Sequence, residues 1–283
     1  MNVRFGPAGN PDSFYSEGHK SSLDMPEWLR KKGLNAYEYQ CSRGVNIGQD
    51  MAQNLGELAA KNGVHLSIHA PYYINLANPE PEAFEKTKKH LMGSLQAAKW
   101  MGAGVVVFHP GSGKGERAAA MDRAKKTLEK IVSQANEEGF GDILLAPETM
   151  GKKSLLGSLD EVLELCSIAE NVVPTMDFGH LHAIGGGLLN SSKDFALLLD
   201  KVEKALGNRL KRLHIHFSPV EYTDAGEKRH RNTLDEGFGP DFSLLAPLLS
   251  ERSLEFTLIC ESNGLQAEDA LVYKTIYNKF VSG

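Results

Sequence analysis

Cysteine and long apolar runs are both scarce in this chain. It has three cysteines at wide spacings among 283 residues, so neither a disulfide framework nor a cysteine-based zinc motif fits. Free cysteines are usually buried, and we expect Cys41, Cys166 and Cys260 to be buried reduced thiols. No apolar run approaches the roughly 20 residues that a membrane-spanning helix needs.

Signals for secretion and for strong positive charge are missing as well. The first residues, MNVRFGPAGNPDS, lack the apolar stretch of a secretory signal, so we expect a soluble, intracellular protein of the cytoplasm. The formal net charge is −5, whereas a strongly basic chain would point to nucleic acid. A local basic patch is still compatible with this net charge, so DNA stays open as a partner.

What the chain does contain is a regular alternation of strand-like and helix-like segments. Short apolar runs predict strands at Val3–Phe5, Ala36–Cys41, His65–His69, Val105–His109, Ile143–Glu148, Val172–Asp177, Arg212–Phe217 and Phe256–Glu261. Apolar residues at helical spacing follow, as at Ile47, Met51 and Leu55, and Ser158–Glu161 has the pattern of a capping box. Further helices are expected at about 82–101, 116–138, 193–206, 241–251 and 266–280.

The alternation over this length is typical of an α/β fold of the (β/α)8 TIM barrel type. A doubly wound open sheet is the alternative. It would need a glycine-rich phosphate turn after the first strand, and FGPAGNP lacks the usual spacing. No Pro/Ser-rich linker or low-complexity stretch divides the chain, so we expect a single domain over residues 1–283.

Side chains that can bind metal recur at the ends of the third to eighth predicted strands. Functional residues of such barrels come from the C-terminal ends of the strands. The residues at these ends are His69, His109, Glu148, Asp177, His180, His216 and Glu261. Imidazoles and carboxylates suit zinc and similar ions, and carboxylates crowded together repel one another unless cations offset their charge. The sequence therefore predicts a site for divalent metal ions at one rim of the barrel.

The loop after the seventh predicted strand supplies further candidates. It contains Glu227 and His230 among several basic residues, and its place after a metal-bearing strand makes His230 a candidate ligand. His65 and His214 share the strand parity of the histidines at the strand ends. We expect these two deeper in the barrel, in packing or in hydrogen bonds to the ligands.

Together, these motifs resemble endonuclease IV, the zinc-dependent apurinic/apyrimidinic endonuclease family, over the length of the chain. The resemblance is carried by HAPYYINL from His69, FHPGS around His109, PET around Glu148, D-x-x-H from Asp177 to His180, His216 and Glu261. It implies that these residues bind two or three Zn²⁺ ions, with Mn²⁺ or another divalent ion as an alternative. It also implies that Glu148 bridges two ions and that Glu148 and Glu261 are catalytic.

One ligand of the family pattern is missing. His230 is similar to the histidine of the family's D-x-H element, but Lys228 stands where that element has aspartate. The adjacent Glu227 is a candidate substitute. We therefore expect a two-metal core and a third site that is weaker or absent, for which His180 and His230 are the candidate ligands and Glu227 a further candidate.

The family cleaves the DNA backbone 5′ to abasic sites during base-excision repair and leaves a 3′-hydroxyl. The resemblance thus implies double-stranded DNA containing an abasic site as substrate, attacked by a metal-activated hydroxide. Two ions about 4 Å apart suit an in-line displacement of this kind. We expect a monomer.

Residues that contact DNA are also implied. Tyr72, three residues after His69, is similar to the family's wedge tyrosine. Gln40 and Arg43 follow the second predicted strand, where a second inserting loop is expected. Lys114 and Arg229 lie in predicted rim loops, where cations can bind phosphates.

Two other functions are compatible with parts of this pattern. A xylose-isomerase-like sugar isomerase or epimerase would use four of the same residues to hold a divalent metal, namely Glu148, Asp177, His216 and Glu261. Such an enzyme does not require the FHPGS motif, nor the combination of His69, His109, His180 and His230. A non-catalytic barrel that binds damaged DNA, or binds metal for structure, is the remaining alternative.

Overall fold

Eight parallel strands close into a barrel in the computed structural model, which describes residues 3–281. The barrel strands are β1 (Val3–Pro7), β2 (Ala36–Gln40), β3 (His65–His69), β4 (Val105–Phe108), β5 (Leu144–Pro147), β6 (Thr175–Asp177), β7 (Arg212–Phe217) and β10 (Glu255–Cys260). An antiparallel hairpin follows β7 and consists of β8 (Val220–Thr223) and β9 (Gly226–His230). The predicted domain bounds, residues 1 and 283, lie outside the described residues.

The strand order follows the chain around the barrel. One parallel set runs β2-β3-β4-β5 and the other runs β1-β10-β7-β6. A bridge between Ala8 and Glu38 joins β1 to β2, and a bridge between Glu148 and Thr175 joins β5 to β6. The sheet is therefore closed, which confirms the predicted (β/α)8 barrel and excludes the open doubly wound sheet.

Helices cover the outside of the barrel. They are α1 (Asp12–Ser16), α2 (Met25–Lys32), α3 (Gln49–Asn62), α4 (Pro81–Met101), α5 (Arg117–Glu137), α6 (Leu159–Cys166), α7 (Phe178–Ile184), α8 (Ser192–Leu206), α9 (Phe242–Glu251) and α10 (Gln266–Val281). The predicted capping box is present: the Ser158 side chain accepts a hydrogen bond from the Glu161 N–H, and the Glu161 carboxylate accepts one from the Ser158 N–H.

The structure differs from the sequence-based strand bounds mainly at the rim. β2, β4, β5 and β10 end one residue earlier than predicted, so His109, Glu148 and Glu261 are the first residues of loops. β6 begins only at residue 175 because Pro174 has no N–H to donate to the ladder. The segment after β7, which we expected as a loop, contains the β8–β9 hairpin.

The two faces of the barrel strands carry different side chains. On β7, His214 and His216 alternate with Ile215 and Phe217, which belong to the main apolar core. On β2, the buried Glu38 alternates in the same way with residues that pack against the helices. Polar side chains therefore line the inside of the barrel up to its rim. Most large apolar side chains pack between the sheet and the helices and stabilise the fold there.

Two expectations from composition can be compared with the structure. Cys41, Cys166 and Cys260 are buried free thiols, as predicted. Over residues 3–281, no helix combines the length and the apolar character needed to cross a membrane.

Gly6 allows β1 to lie directly against β2. A Cβ atom at this position would be 1.8 Å from the Ala36 carbonyl oxygen, so an added methyl group must push the strands apart. We expect Gly6→Ala to lower the free energy of unfolding by about 2 kcal/mol or more. Circular dichroism should detect this as a lower midpoint of thermal unfolding. Gly104→Ala is the control, because its Cβ would meet no atom within 4 Å. Equal midpoints for the two variants would contradict the close contact.

Candidate metal centre

Glu148 lies at the centre of a buried cluster at the C-terminal rim of the barrel. Its Oε2 is 3.3 Å from Nε2 of His69 and 3.1 Å from Nε2 of His109. Its Oε1 is 3.1 Å from Nδ1 of His216 on β7. The single carboxylate of Glu148 therefore faces imidazoles on two sides, with a different oxygen toward each side.

Among the groups of side chains that can hold metal, two share Glu148, and a third consists of Glu38, His214 and His216. In each group, one ligand atom from every residue lies within 4.8 Å of the others. The first group is His69, His109 and Glu148, and the second is Glu148, Asp177, His216 and Glu261. This is the arrangement expected when one carboxylate bridges two neighbouring cations.

Hydrogen bonds to backbone carbonyls orient two of the imidazole rings. Nδ1 of His69 lies 2.9 Å from the carbonyl oxygen of Ala70, and Nδ1 of His180 lies 2.8 Å from that of Thr149. A carbonyl accepts only from a protonated nitrogen, so each contact places the proton on Nδ1. The lone pair of Nε2 is then available as a ligand.

Asp177 provides the clearest test of whether a cation fits this cluster. Its Oδ1 accepts a hydrogen bond of 2.6 Å from the His180 backbone N–H at the start of α7. Its Oδ2 is buried without a hydrogen-bond partner and lies 3.5 Å from Nδ1 of His180. A buried carboxylate oxygen without a partner is costly, and a cation bound by the four-residue group would satisfy it. The donor set therefore fits a metal ion.

The carboxylates of the cluster strongly affect one another. Burial, reinforced by the charges of Glu148 and Glu261, raises the pKa of Asp177 to about 6 although His180 acts in the opposite direction. Burial also acts to raise the pKa of Glu261, but the charge and hydrogen bond of His216, together with the charge of His230, outweigh it and lower that pKa to about 2. Without cations, this cluster relies on protonated imidazoles to balance its negative charge.

Two imidazoles carry that compensating charge. Burial opposes protonation of His69, but the hydrogen bond and charge of Glu148 outweigh it and raise the pKa of His69 to about 9. For His180, burial is outweighed by Asp177 and then Glu148, and the pKa is likewise raised to about 9. Metal binding would replace these protons, because a ligating imidazole must be neutral.

A further buried carboxylate, Glu38, lies next to this cluster and was missed in the sequence. Its Oε2 accepts a hydrogen bond from Ser67 Oγ at 2.8 Å and lies 2.9 Å from Nε2 of His214. Its Oε1 lies 2.9 Å from Nε2 of His216. The sequence did contain a signal for Glu38, namely an acidic residue in the middle of the strand AYEYQ. A glutamate that is buried in a strand is usually paired with a cationic or hydrogen-bonding partner. His214 lies inside the barrel as expected, whereas His65 is exposed.

Three predicted ligands lie beside the two groups. Nε2 of His180 is 3.9 Å from Oε2 of Glu227, and the ring centroids of His180 and His230 are 5.4 Å apart. Nε2 of His230 is 3.8 Å from Oε2 of Glu261. Within residues 3–281, these three do not form a group with ligand atoms as close as those of the two groups above. They are adjacent to the core but more widely spaced.

Several residues predicted to contact DNA are exposed at the rim. The Tyr72 side chain is 58% exposed, and its ring centroid lies 5.6 Å from that of His109 and 6.1 Å from that of His69. Tyr72 is therefore at the mouth of the cluster. Arg43 and Lys114 are exposed in the loops after β2 and β4.

Two others are engaged within the protein. Gln40 is the last residue of β2, and its side-chain amide donates a hydrogen bond of 3.4 Å to Glu38. Arg229 lies on β9 and pairs with Glu221 at 2.8 Å, while Lys228 pairs with the other oxygen of Glu221 at 2.5 Å. Lys228 and Arg229 thus share one carboxylate, which also pairs with Arg231, so this part of the hairpin keeps a net positive charge.

Comparison with known proteins agrees with these motifs. The chain matches the profile of the xylose isomerase-like TIM barrel family over residues 26–275. It is 34% identical over 239 residues to a protein of Listeria innocua named probable endonuclease 4, which covers 78% of this chain and 75% of that protein. The chain belongs to the endonuclease IV family. An uncharacterized protein of Methanocaldococcus jannaschii is 33% identical over 277 residues, or 97% of each chain.

Solved structures show that the endonuclease IV fold is shared with sugar enzymes. Endonuclease IV from Thermus thermophilus superposes with a TM-score of 0.69 at 20% identity, over 99% of both chains. A D-tagatose 3-epimerase-like protein gives a TM-score of 0.73 at 22% identity, over 99% of this chain and 97% of that one. At these identities the similarity shows the barrel and leaves the reaction open.

The raised imidazole pKa values predict how pH affects the metal-free protein. His69 and His180 have pKa values of about 9 in the folded state and an ordinary value of 6.5. Their contribution to stability is present below pH 6.5 and is lost as pH rises through about 9. We expect the free energy of unfolding to fall by about 1–3 kcal/mol between pH 6.5 and 9, measured by denaturant titration.

Zinc-saturated protein is the matched control for this pH titration. Its imidazoles are expected to be neutral ligands at both pH values, so the decrease should largely disappear. Equal stability of the metal-free protein at the two pH values would contradict the charge balance described above.

Proposed function

We propose that this endonuclease IV family protein is a metal-dependent endonuclease that hydrolyses the DNA phosphodiester 5′ to abasic sites. The observation that carries the proposal is the sharing of Glu148 between two ligand groups, one with His69 and His109 and one with three further residues. Zn²⁺ suits these nitrogen and oxygen donors. When bound, two such ions supply positive charge for an in-line displacement at phosphorus and lower the pKa of water.

In this proposal, Glu261 orients the attacking water. Its side chain is 16% exposed, so it is the group through which solvent reaches the four-residue set. With a pKa of about 2 it is ionised at neutral pH and accepts a hydrogen bond rather than holding a proton. The new bond joins the water oxygen to phosphorus, and the bond from phosphorus to the 3′-oxygen breaks. The products are a 3′-hydroxyl, which receives the proton, and a 5′-phosphate on the abasic sugar.

The rim provides contacts suited to a distorted duplex. A scissile phosphate can reach a recessed cluster only if the DNA bends or a nucleotide leaves the stack. Tyr72 projects beside His69 and His109 and can fill the space left by the missing base. Arg43 and Lys114 are exposed cations on neighbouring loops and can bind the flanking phosphates.

A β-bulge supports Glu227 as the substitute for the missing aspartate. In the β8–β9 hairpin, Glu221 pairs with Arg229 and Tyr222 pairs with Glu227, so Lys228 is an extra residue in β9. Residues three apart in a regular strand point to opposite faces, but one extra residue brings them back to the same face. We infer that Glu227 and His230, with His180, hold a third ion.

The second candidate function is a sugar isomerase or epimerase. It is favoured by the fold shared with the D-tagatose 3-epimerase-like protein and by the four-residue group, which alone can hold one ion. The group of His69, His109 and Glu148 argues against a sugar isomerase or epimerase, because a site that holds a single ion does not need His69 and His109 as ligands. We therefore rank the nuclease first.

Incision of a defined duplex tests the proposal. Zinc-loaded protein should cut an oligonucleotide duplex once, 5′ to a single tetrahydrofuran abasic analogue, and leave a 3′-hydroxyl. Glu261→Gln should slow cutting by about 10²- to 10⁴-fold, because it removes a carboxylate that both orients the water and belongs to the four-residue metal group. Duplex binding should change little, because the rim residues that contact DNA are unaltered. Glu170→Gln is the control, since its side chain is 92% exposed before β6 at the other end of the barrel. Absence of incision together with turnover of a ketose would overturn the nuclease.

Metal content tests the third site. We expect three zinc ions per chain by elemental analysis after dialysis, and two in Glu227→Ala. Lys228→Ala should retain three, because the Lys228 ammonium is bound to Glu221. Two ions per chain in the wild type would show that Glu227 does not replace the aspartate.

A further inference from the structure

Glu38 connects three strands inside the barrel. It lies on β2 with no exposed surface, and its two oxygens have different partners. Oε2 contacts Ser67 Oγ on β3 at 2.8 Å and Nε2 of His214 on β7 at 2.9 Å. Oε1 lies 2.9 Å from Nε2 of His216 and accepts a hydrogen bond of 3.4 Å from Gln40. Both oxygens therefore have partners inside the protein: Oε2 accepts from Ser67 and contacts His214, and Oε1 accepts from Gln40 and lies against His216.

The ring of His216 lies between this carboxylate and the candidate metal centre. Its Nδ1 is 3.1 Å from Glu148 Oε1 and 3.5 Å from Glu261 Oε2, while Nε2 faces Glu38. The contact of Nε2 with Glu38 is short, although its angle falls outside hydrogen-bond geometry. The negative charge of Glu38 nevertheless favours the tautomer that is protonated on Nε2, which leaves the Nδ1 lone pair toward the cluster.

We infer that Glu38 is a positioning residue that holds His216 with Nδ1 directed at the metal. The ring is fully buried, so bulk solvent does not compete with the carboxylate for Nε2. Partners of this kind fix the orientation of a ligating imidazole and increase its basicity, and their loss weakens metal binding about 10- to 100-fold. The inference rests on the metal centre of the proposed function and is independent of the substrate.

Two substitutions of Glu38 test whether it acts as a hydrogen-bond acceptor for His216 or only fills space in the barrel. Glu38→Met has a similar length but no oxygen, so Nε2 of His216 loses its carboxylate. Glu38→Gln keeps one amide oxygen that can accept from His216, but it carries no charge. Ser67→Ala is the matched control, because it removes a hydrogen bond to the other oxygen of Glu38 and leaves the His216 contact intact.

The experiment measures zinc affinity by competition with a chromogenic chelator, using the full chain. Relative to the wild type, Glu38→Met should bind the ion of the four-residue group, which includes His216, about 10- to 100-fold less tightly. Glu38→Gln should lie between that variant and the wild type, and Ser67→Ala should remain within about threefold of the wild type. The ring ¹⁵N chemical shifts of His216 in zinc-loaded wild type should show zinc at Nδ1 and a proton at Nε2.

Different failures have different meanings. A wild type that binds no divalent metal would remove the metal centre and this inference together. A wild type that binds zinc, with both Glu38 variants binding equally well, would overturn the role of Glu38 alone; if Glu38→Met does not fold, Glu38→Gln decides. Loss of one whole ion from Glu38→Met at saturating zinc would also overturn it, because Glu38, His214 and His216 would then be ligands of a separate ion.

Discussion

Repulsion among buried carboxylates is the interaction on which this rim depends. Glu148, Asp177 and Glu261 each place an oxygen within 4.8 Å of the others, in surroundings that screen charge poorly. Protonated imidazoles balance part of this charge, but one oxygen of Asp177 still has no hydrogen-bond partner. Bound divalent cations would balance the same carboxylates more effectively than imidazoles, because they carry two charges and lie closer to the oxygens. Much of the arrangement of histidines around Glu148 can be understood as a response to this requirement.

The barrel makes such a costly cluster tolerable by separating stability from function. Most large apolar side chains pack between the sheet and the helices, and they provide the main stabilisation of the fold. The inner face of the strands can then carry polar groups in a continuous column, from Glu38 and His214 up to His216 and Glu148. Every carboxylate in this column has an imidazole next to it, which limits the cost of burying charge.

The same barrel occurs in an endonuclease and in a D-tagatose 3-epimerase-like protein, so the fold alone does not decide the reaction, and what matters in this chain is what is added to its four-residue group. In this chain the additions are His69 and His109, which make a second group through Glu148, and the β8–β9 hairpin, which brings Glu227 to His180. These additions come from the loops and from the last residues of the strands. They can change without disturbing the core, which explains how one fold supports different reactions.

The sequence by itself determined the alternation of strands and helices and the residue types at the strand ends, because periodicity and residue type are local properties. The barrel class and the position of the metal-binding side chains at one rim were inferred from that alternation. The tertiary structure decided which of these side chains meet. Glu38 contacts His214, which is 176 residues away in sequence, only because barrel closure brings β2 opposite β7. The bulge at Lys228 that turns Glu227 toward His180 likewise depends on how two strands pair. Pairing across the barrel is a long-range property, so no local spacing could predict it.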